Sequence, residues 1–266
     1  MGKQLTALDF ATRKGSDRKV SMVTCYDYWS ATVLNRSEVD CLLVGDSLAM
    51  VMHGFDSTVH ADVELMALHT RAVARGAPDK FIVADLPFLS VRKGLVPAMD
   101  AVQALIQAGA SAVKIEGERG QLDLVQHIVE SGVPVMGHLG LTPQAVLGLG
   151  GHRVQGRDEH AAKALIESAR RLAEAGCFAI VLECVPAKLA DCVTRSVAAA
   201  TIGIGAGPHT DGQVLVLQDL LGTNPDFQPR FLRRYADGFG MVCDAVNRFH
   251  GDVQRGEFPT RQESYS

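Results

Sequence analysis

Residues 81–118 read FIVADLPFLSVRKGLVPAMDAVQALIQAGASAVKIEGE, and the architecture follows from this stretch. The apolar run 81–84 shows no polar/apolar alternation and ends in Asp85. An amphipathic pattern then spans 97–108, and Gly109 stands where such a helix would stop. A second unalternating run, 112–115, ends in Glu116. Strands apolar on both sides belong to sheets covered on both faces, and a helix between two of them predicts a parallel βαβ unit.

The same rhythm runs from residue 20 to about 220. Strands are predicted at 21–25, 41–44, 81–84, 112–115, 134–137, 179–182, 201–204 and 214–217, with helices at 63–74, 97–108, 122–130 and 160–175. Eight strands with intervening helices favour a closed α/β architecture, the (β/α)8 TIM barrel, over an open sheet. The 266 residues suit one barrel domain, 1–266, with an N-terminal extension and a C-terminal helical segment. The eighth strand has a competing reading, because Asp211-Gly212-Gln213 leads equally well into a helix. Residues 6–13 are expected as a short helix across one barrel end, 229–254 as a long helix interrupted near Gly238 and Gly240, and 257–266 as a polar, extended tail.

Composition excludes several function classes. A formal net charge of −4 gives no reason to expect nucleic acid or an anionic membrane as partner. Residues 1–19 carry no apolar signal-like core, and no stretch reaches transmembrane length. The six cysteines show no CxxC spacing, so a disulfide framework or zinc site is not expected and a cytoplasmic setting is.

In such a barrel the carboxyl ends of the strands share one mouth. The residues that fall there are Asp27, Asp46, Ser47, Asp85, Lys114, Glu116, His138 and Glu183. Singly, each has a plain structural explanation. Asp46 would cap the next helix, Asp85 anchor a turn before Pro87, Glu116 pair with Lys114 two residues away, His138 sit satisfied in the core and Glu183 pair with an arginine. Together they are hard to dismiss, because buried carboxylates are costly unless paired or bound to metal. Oxygen donors without Cys or paired His suit a hard cation, Mg²⁺ before Zn²⁺. A 2-oxo acid chelated there would form an enolate readily, with Lys114 stabilising the negative charge.

Two glycine-rich strings stand apart. Gly203-Ile204-Gly205-Ala206-Gly207 lacks the GxGxxG spacing and the acidic partner of a dinucleotide site. Residues 148–157 (GLGGHRVQGR) suit a mobile lid over the mouth, and an ordinary loop accounts for them equally well.

The chain closely resembles the ketopantoate hydroxymethyltransferase family. The resemblance is carried by Thr24-Cys25-Tyr26-Asp27, Leu43-Val44-Gly45-Asp46-Ser47-Leu48, His53-Gly54-Phe55-Asp56-Ser57-Thr58, Ala84-Asp85-Leu86-Pro87-Phe88 and Val113-Lys114-Ile115-Glu116-Gly117. It continues through Gly137-His138-Leu139-Gly140-Leu141-Thr142-Pro143-Gln144, Val154-Gln155-Gly156-Arg157, Leu182-Glu183-Cys184-Val185-Pro186 and the 202–207 string, from about residue 20 to 259. Departures fall in spacers such as Val59-His60-Ala61.

The resemblance implies a barrel of the phosphoenolpyruvate/pyruvate-binding type. It implies transfer of a hydroxymethyl group from 5,10-methylenetetrahydrofolate to 3-methyl-2-oxobutanoate, giving 2-dehydropantoate for pantothenate and coenzyme A synthesis. It further implies Mg²⁺ on Asp46, Asp85 and Glu116; oxo-acid contacts from Asp46, Ser47, Asp85 and Lys114; Glu183 as base; His138 lining the site; and a homo-oligomer, commonly a decamer. The competing enzyme reading is another Mg²⁺-dependent enolate-forming lyase or mutase of the same barrel superfamily. Those relatives often carry a Lys-Cys-Gly type lid motif, absent from this sequence. A ligand-binding protein on a degenerate barrel is the non-enzymatic reading, against which the intact acidic strand ends argue.

Overall fold

A computed structural model describes residues 5–265. It contains β1 (Val20–Thr24), β2 (Cys41–Val44), β3 (Phe81–Asp85), β4 (Ala112–Glu116), β5 (Val135–Gly140), β6 (Ala179–Glu183), β7 (Ala200–Ile204) and β8 (Gly212–Leu215). All pair in parallel and in sequence order, and β8 returns to β1 to close the barrel. The eighth strand is therefore a strand, two residues earlier than predicted. It starts at Gly212, where a Cβ would lie 2.5 Å from the Val20 carbonyl oxygen, so only glycine admits β1 this closely.

The helices are α1 (Ala7–Arg13), α2 (Tyr28–Asn35), α3 (Leu48–Val51), α4 (Val63–Gly76), α5 (Leu95–Gln107), α6 (Leu122–Glu130), α7 (Glu159–Glu174), α8 (Ala187–Ser196), α9 (Leu217–Leu220) and α10 (Gly238–Arg255). Asp62 and Asp158 cap α4 and α7 by accepting from the backbone N–H three residues on. α1 lies where the sequence placed it. Its fully buried Phe10 meets the rings of Phe81 and Phe178 at 5.4 and 5.0 Å, residues at the amino ends of β3 and β6, and so plugs that end of the barrel.

Alternate strand residues fill the barrel interior: Val20 and Met22, Cys41 and Leu43, Phe81 and Val83, Ala112, Met136, Ala179 and Val181, Ala200 and Ile202, and Val214. This parity explains the site. Two residues beyond Val83, Ala112, Met136 and Val181 stand Asp85, Lys114, His138 and Glu183, so the period of two that buries the core also turns these groups inward at the carboxyl ends.

Residues through Leu215 form this barrel unit, and those from Val216 form a second compact unit. In the second unit the predicted long helix is shorter than expected and starts at Gly238, with Asp237 accepting from the Gly240 N–H. Residues 229–237 are turns and coil. Gly238 does not interrupt a helix; it lets the chain pass close to Leu221, whose carbonyl oxygen a Cβ would meet at 2.8 Å. The tail is not wholly extended, since Arg261–Glu263 form a 3-10 turn closed by a Thr260/Glu263 capping box. Ser266 lies outside the described residues.

Candidate active site

Asp85 ends β3 and pairs across the sheet with Lys114 of β4. The Lys114 Nζ lies 2.9 Å from Asp85 Oδ1, with both side chains buried. Lys114 also comes within 3.2 Å of His138 Nδ1. His138 bridges two acids: Nδ1 is 3.5 Å from Glu116 Oε1 and Nε2 is 3.2 Å from Glu183 Oε2. Asp85 Oδ2 accepts from the Asp46 backbone N–H at 3.1 Å, which ties the ends of β2 and β3 together. Ser47 follows, its Oγ 2.8 Å from the hydroxyl of fully buried Tyr26.

Gln144, to which no role was assigned from the sequence, is central here. Just past β5, its backbone N–H donates to Glu116 Oε2 at 3.0 Å. Its Nε2 donates to Asp46 Oδ2 at 2.8 Å and to the Leu86 carbonyl at 3.0 Å. The available signal was a polar residue in the loop at a strand's carboxyl end.

Asp46 is not a helix cap, because its carboxylate faces Gln144. Lys114 forms its ion pair with Asp85, on the next strand, and not with Glu116. His138 is held by ionisable groups. Asp27 is the exception; its carboxylate accepts from the Ser30 N–H at 2.8 Å and caps α2. The 203–207 string turns from β7 towards β8, with Gln213 Nε2 donating to the Gly207 carbonyl, and its Gly203 is tight against Thr210. The 148–157 loop has no helix or strand and is fastened by the Gln155 N–H donating to the Cys184 carbonyl at 2.9 Å.

Backbone geometry supports Glu183 from both sides. Gly140 lies opposite it in the β5–β6 register, at φ +94°, and a Cβ there would fall 2.2 Å from the Glu183 carbonyl oxygen. Cys184 adopts φ +49°, a left-handed conformation that costs about 1–3 kcal/mol outside glycine. Its N–H donates to the Ile204 carbonyl, which holds the turn.

Electrostatics mark the site strongly. Burial, then the neighbouring Asp85 and Glu116, push the Asp46 carboxyl well above its ordinary range. Burial also raises Asp85, outweighing Lys114. For Glu116 the hydrogen bond and charge of His138, with help from Lys114, overcome burial and lower it. Burial and Lys114 disfavour the His138 imidazolium, yet Glu116 and Glu183 raise it to about 9. Lys114 stays charged, because Asp85, Glu116 and Asp46 more than offset its burial.

Among the described residues no three His, Cys, Asp or Glu side chains form a closed metal-ligand cluster. Asp46, Asp85 and Glu116 nonetheless fit a hard cation. With all four acids (Asp46, Asp85, Glu116, Glu183) ionised against Lys114 and His138, two negative charges would be unmatched in this mouth, and the raised Asp46 carboxyl reflects that crowding. One divalent ion would balance that excess, and Mg²⁺ commonly takes only one or two carboxylates, leaving the rest of its shell to water and substrate.

Solved structures sharing the barrel include 2,3-dimethylmalate lyase, of the PEP mutase/isocitrate lyase superfamily (13% identity, TM-score 0.60, covering 98% of this chain and 92% of that one). Another is a phosphonopyruvate hydrolase complex with oxalate and Mg++ (12% identity, TM-score 0.58, covering 97% and 93%). Sequence relatives are far nearer. The 3-methyl-2-oxobutanoate hydroxymethyltransferase of Coxiella burnetii is 56% identical over 252 residues, 94% of this chain and 95% of the relative. That of Bdellovibrio bacteriovorus is 56% identical over 261 residues, 98% and 99% of the two chains. The ketopantoate hydroxymethyltransferase family model matches residues 4–261. On that match and on these near full-length relatives, the chain belongs to the ketopantoate hydroxymethyltransferase family.

Proposed function

We propose that the chain transfers a hydroxymethyl group from 5,10-methylenetetrahydrofolate to 3-methyl-2-oxobutanoate, giving 2-dehydropantoate for pantothenate synthesis, with Mg²⁺ held by Asp46, Asp85 and Glu116. The observation that carries the reading is the buried excess of carboxylate beside one lysine, at the mouth of a barrel whose family is known.

When bound, Mg²⁺ would polarise the keto group and offset charge developing on the oxo acid. The protein's own groups do the rest. Lys114, fixed by Asp85, presents its ammonium to the oxygen that gains charge. Ser47, oriented by Tyr26, and the Asp46–Asp85 tie set the position of the bound acid. Glu183, the more exposed carboxylate beside His138, removes the C3 proton. His138 holds Glu183 in place. The methylene carbon is bonded to both N5 and N10 of the folate. One C–N bond opens to an iminium, and water adds to its carbon. Loss of the second C–N bond, with a proton to nitrogen, frees tetrahydrofolate and leaves a formaldehyde-level carbonyl. C3 bonds to that carbon, and the carbonyl oxygen takes up a proton to become the hydroxyl group. The quaternary C3 of the product has no proton left for a second round.

The same reading places the enzyme in the cytoplasm as a homo-oligomer, a decamer on the family resemblance, without nucleic-acid or membrane partners. None of the described helices is long and apolar enough to cross a membrane.

The test is turnover with labelled 5,10-methylenetetrahydrofolate and 3-methyl-2-oxobutanoate, before and after removal of divalent ions. Labelled 2-dehydropantoate formed only with the metal present supports the reading. Cleavage or rearrangement of an oxo acid without one-carbon transfer would instead identify a lyase or mutase on this barrel.

A further inference from the structure

A cavity of about 520 Å³ opens beside the charged cluster and shares Glu116 and Gln144 with it. Its size lies within the usual range for a small-molecule pocket. Part of its wall is apolar: Phe88 is 39% exposed, and Leu89 is held at φ +58°. A leucine in the left-handed region is strained, and such strain concentrates where a side chain must be aimed at a ligand.

The other wall is polar and acceptor-rich. Glu118 is 8% exposed and accepts from Ser168 Oγ at 3.0 Å. Gln121, only 1% exposed, donates its Nε2 to the Glu116 carbonyl at 2.7 Å, which fixes the amide orientation. Its Oε1 then has no hydrogen-bond partner among the described residues. A buried acceptor left unpaired is costly, so a donor from a ligand is the natural complement. At the rim, Arg92 is pinned by donating to the Arg119 carbonyl at 2.7 Å.

A flat heterocycle with adjacent ring N–H and amino donors satisfies this wall, because two parallel hydrogen bonds to one carboxylate are strong and orienting. Resting on the function proposed above, we propose that this cavity holds the pterin ring of the one-carbon donor. Its N3–H and 2-amino edge sits on Glu118, its ring lies against Phe88 and Leu89, and its reactive methylene faces Glu116 and Gln144. The anionic glutamate end extends past Arg92 and Arg119 to solvent.

The test measures binding of tetrahydrofolate and of 6-methyltetrahydropterin to the full chain by calorimetry, alongside folate-independent exchange of the oxo-acid C3 proton. Glu118→Gln should weaken both ligands roughly 10- to 100-fold, with exchange unchanged. Phe88→Ala, at a half-exposed position tolerant of truncation, should weaken both about 5-fold or more. His60→Ala, in a separate cavity near Thr58 and Val146, should leave both unchanged. Wild-type affinity for both ligands in Glu118→Gln and Phe88→Ala overturns the assignment, as does a loss confined to His60→Ala. Should Glu118→Gln fail to fold, Phe88→Ala decides alone. If the wild-type chain neither binds tetrahydrofolate nor makes labelled product, the functional reading itself falls and takes the cavity assignment with it.

Discussion

His138 Nε2 lies 3.2 Å from Glu183 Oε2 across the β5–β6 pair, while His138 Nδ1 reaches Glu116 on the other side at 3.5 Å. One imidazole thus clamps two acids from the strands on either side of it, Glu116 buried and Glu183 partly exposed. With its value raised to about 9, His138 is cationic at neutral pH and would hold the carboxylate proposed as base in a fixed orientation.

Glu183→Gln should lower C3-proton exchange of 3-methyl-2-oxobutanoate by about 10²–10⁴-fold while leaving oxo-acid affinity near wild type. Exchange is followed by proton NMR in deuterated buffer. Wild-type exchange in the variant would remove Glu183 from the role of base.

Lys114→Met should destabilise the fold as well as stop turnover. It leaves Asp85 buried beside Asp46 and Glu116 without its 2.9 Å partner. Breaking a buried pair from one side costs about 3–5 kcal/mol. Urea denaturation measures the loss, and added Mg²⁺ should recover part of it; a variant as stable as wild type would refute the charge accounting.

Gln144→Ala removes the side-chain donor to Asp46 and Leu86 and keeps the backbone donor to Glu116. Groups that orient metal ligands typically contribute 10–100-fold to metal affinity. The Mg²⁺ concentration for half-maximal activity should rise by about that factor, with saturating activity reduced less. An unchanged Mg²⁺ titration would show that Asp46 needs no such support.

Metal removal gives a readout independent of catalysis. Saturation at about 100 times the dissociation constant adds roughly 2.7 kcal/mol to stability. The melting temperature should therefore rise with Mg²⁺ in wild type and rise much less in Asp85→Asn, as seen by scanning calorimetry.

Far from the mouth, Asp211 links the start of β8 to residues before β1. It accepts from Gly15 N, Thr201 N and Lys14 Nζ, each at 2.9 Å. Burial alone would raise its carboxyl, but the two backbone donors and Lys14 prevail and hold it below the usual range. A depressed folded-state value means this stability is complete above the unfolded carboxylate value of about 3.9 and drains away as pH falls through the lower folded value. Asp211→Ala should cost about 3 kcal/mol at neutral pH. The gap to wild type should narrow below about pH 4 in denaturation series.

The barrel and its chemical inventory are written in local features of the chain. Unalternating apolar runs, helix stops at Gly109 and Gly176, and acids at strand ends are local signals, and the period of two fixes which residues turn inward. Asp46, Ser47, Asp85, Lys114, Glu116, His138 and Glu183 were legible for that reason. Tertiary structure alone decided who meets whom. Lys114 chooses Asp85 over Glu116 because the β3–β4 register sets Asp85 beside it, a relation that periodicity within one strand does not contain. Gln144 reaches Asp46 from 98 residues away, across the mouth, through a loop with no repeating pattern. The start of β8 at Gly212 was likewise set by the closing contact with Val20, since a barrel's last strand takes its frame from the first.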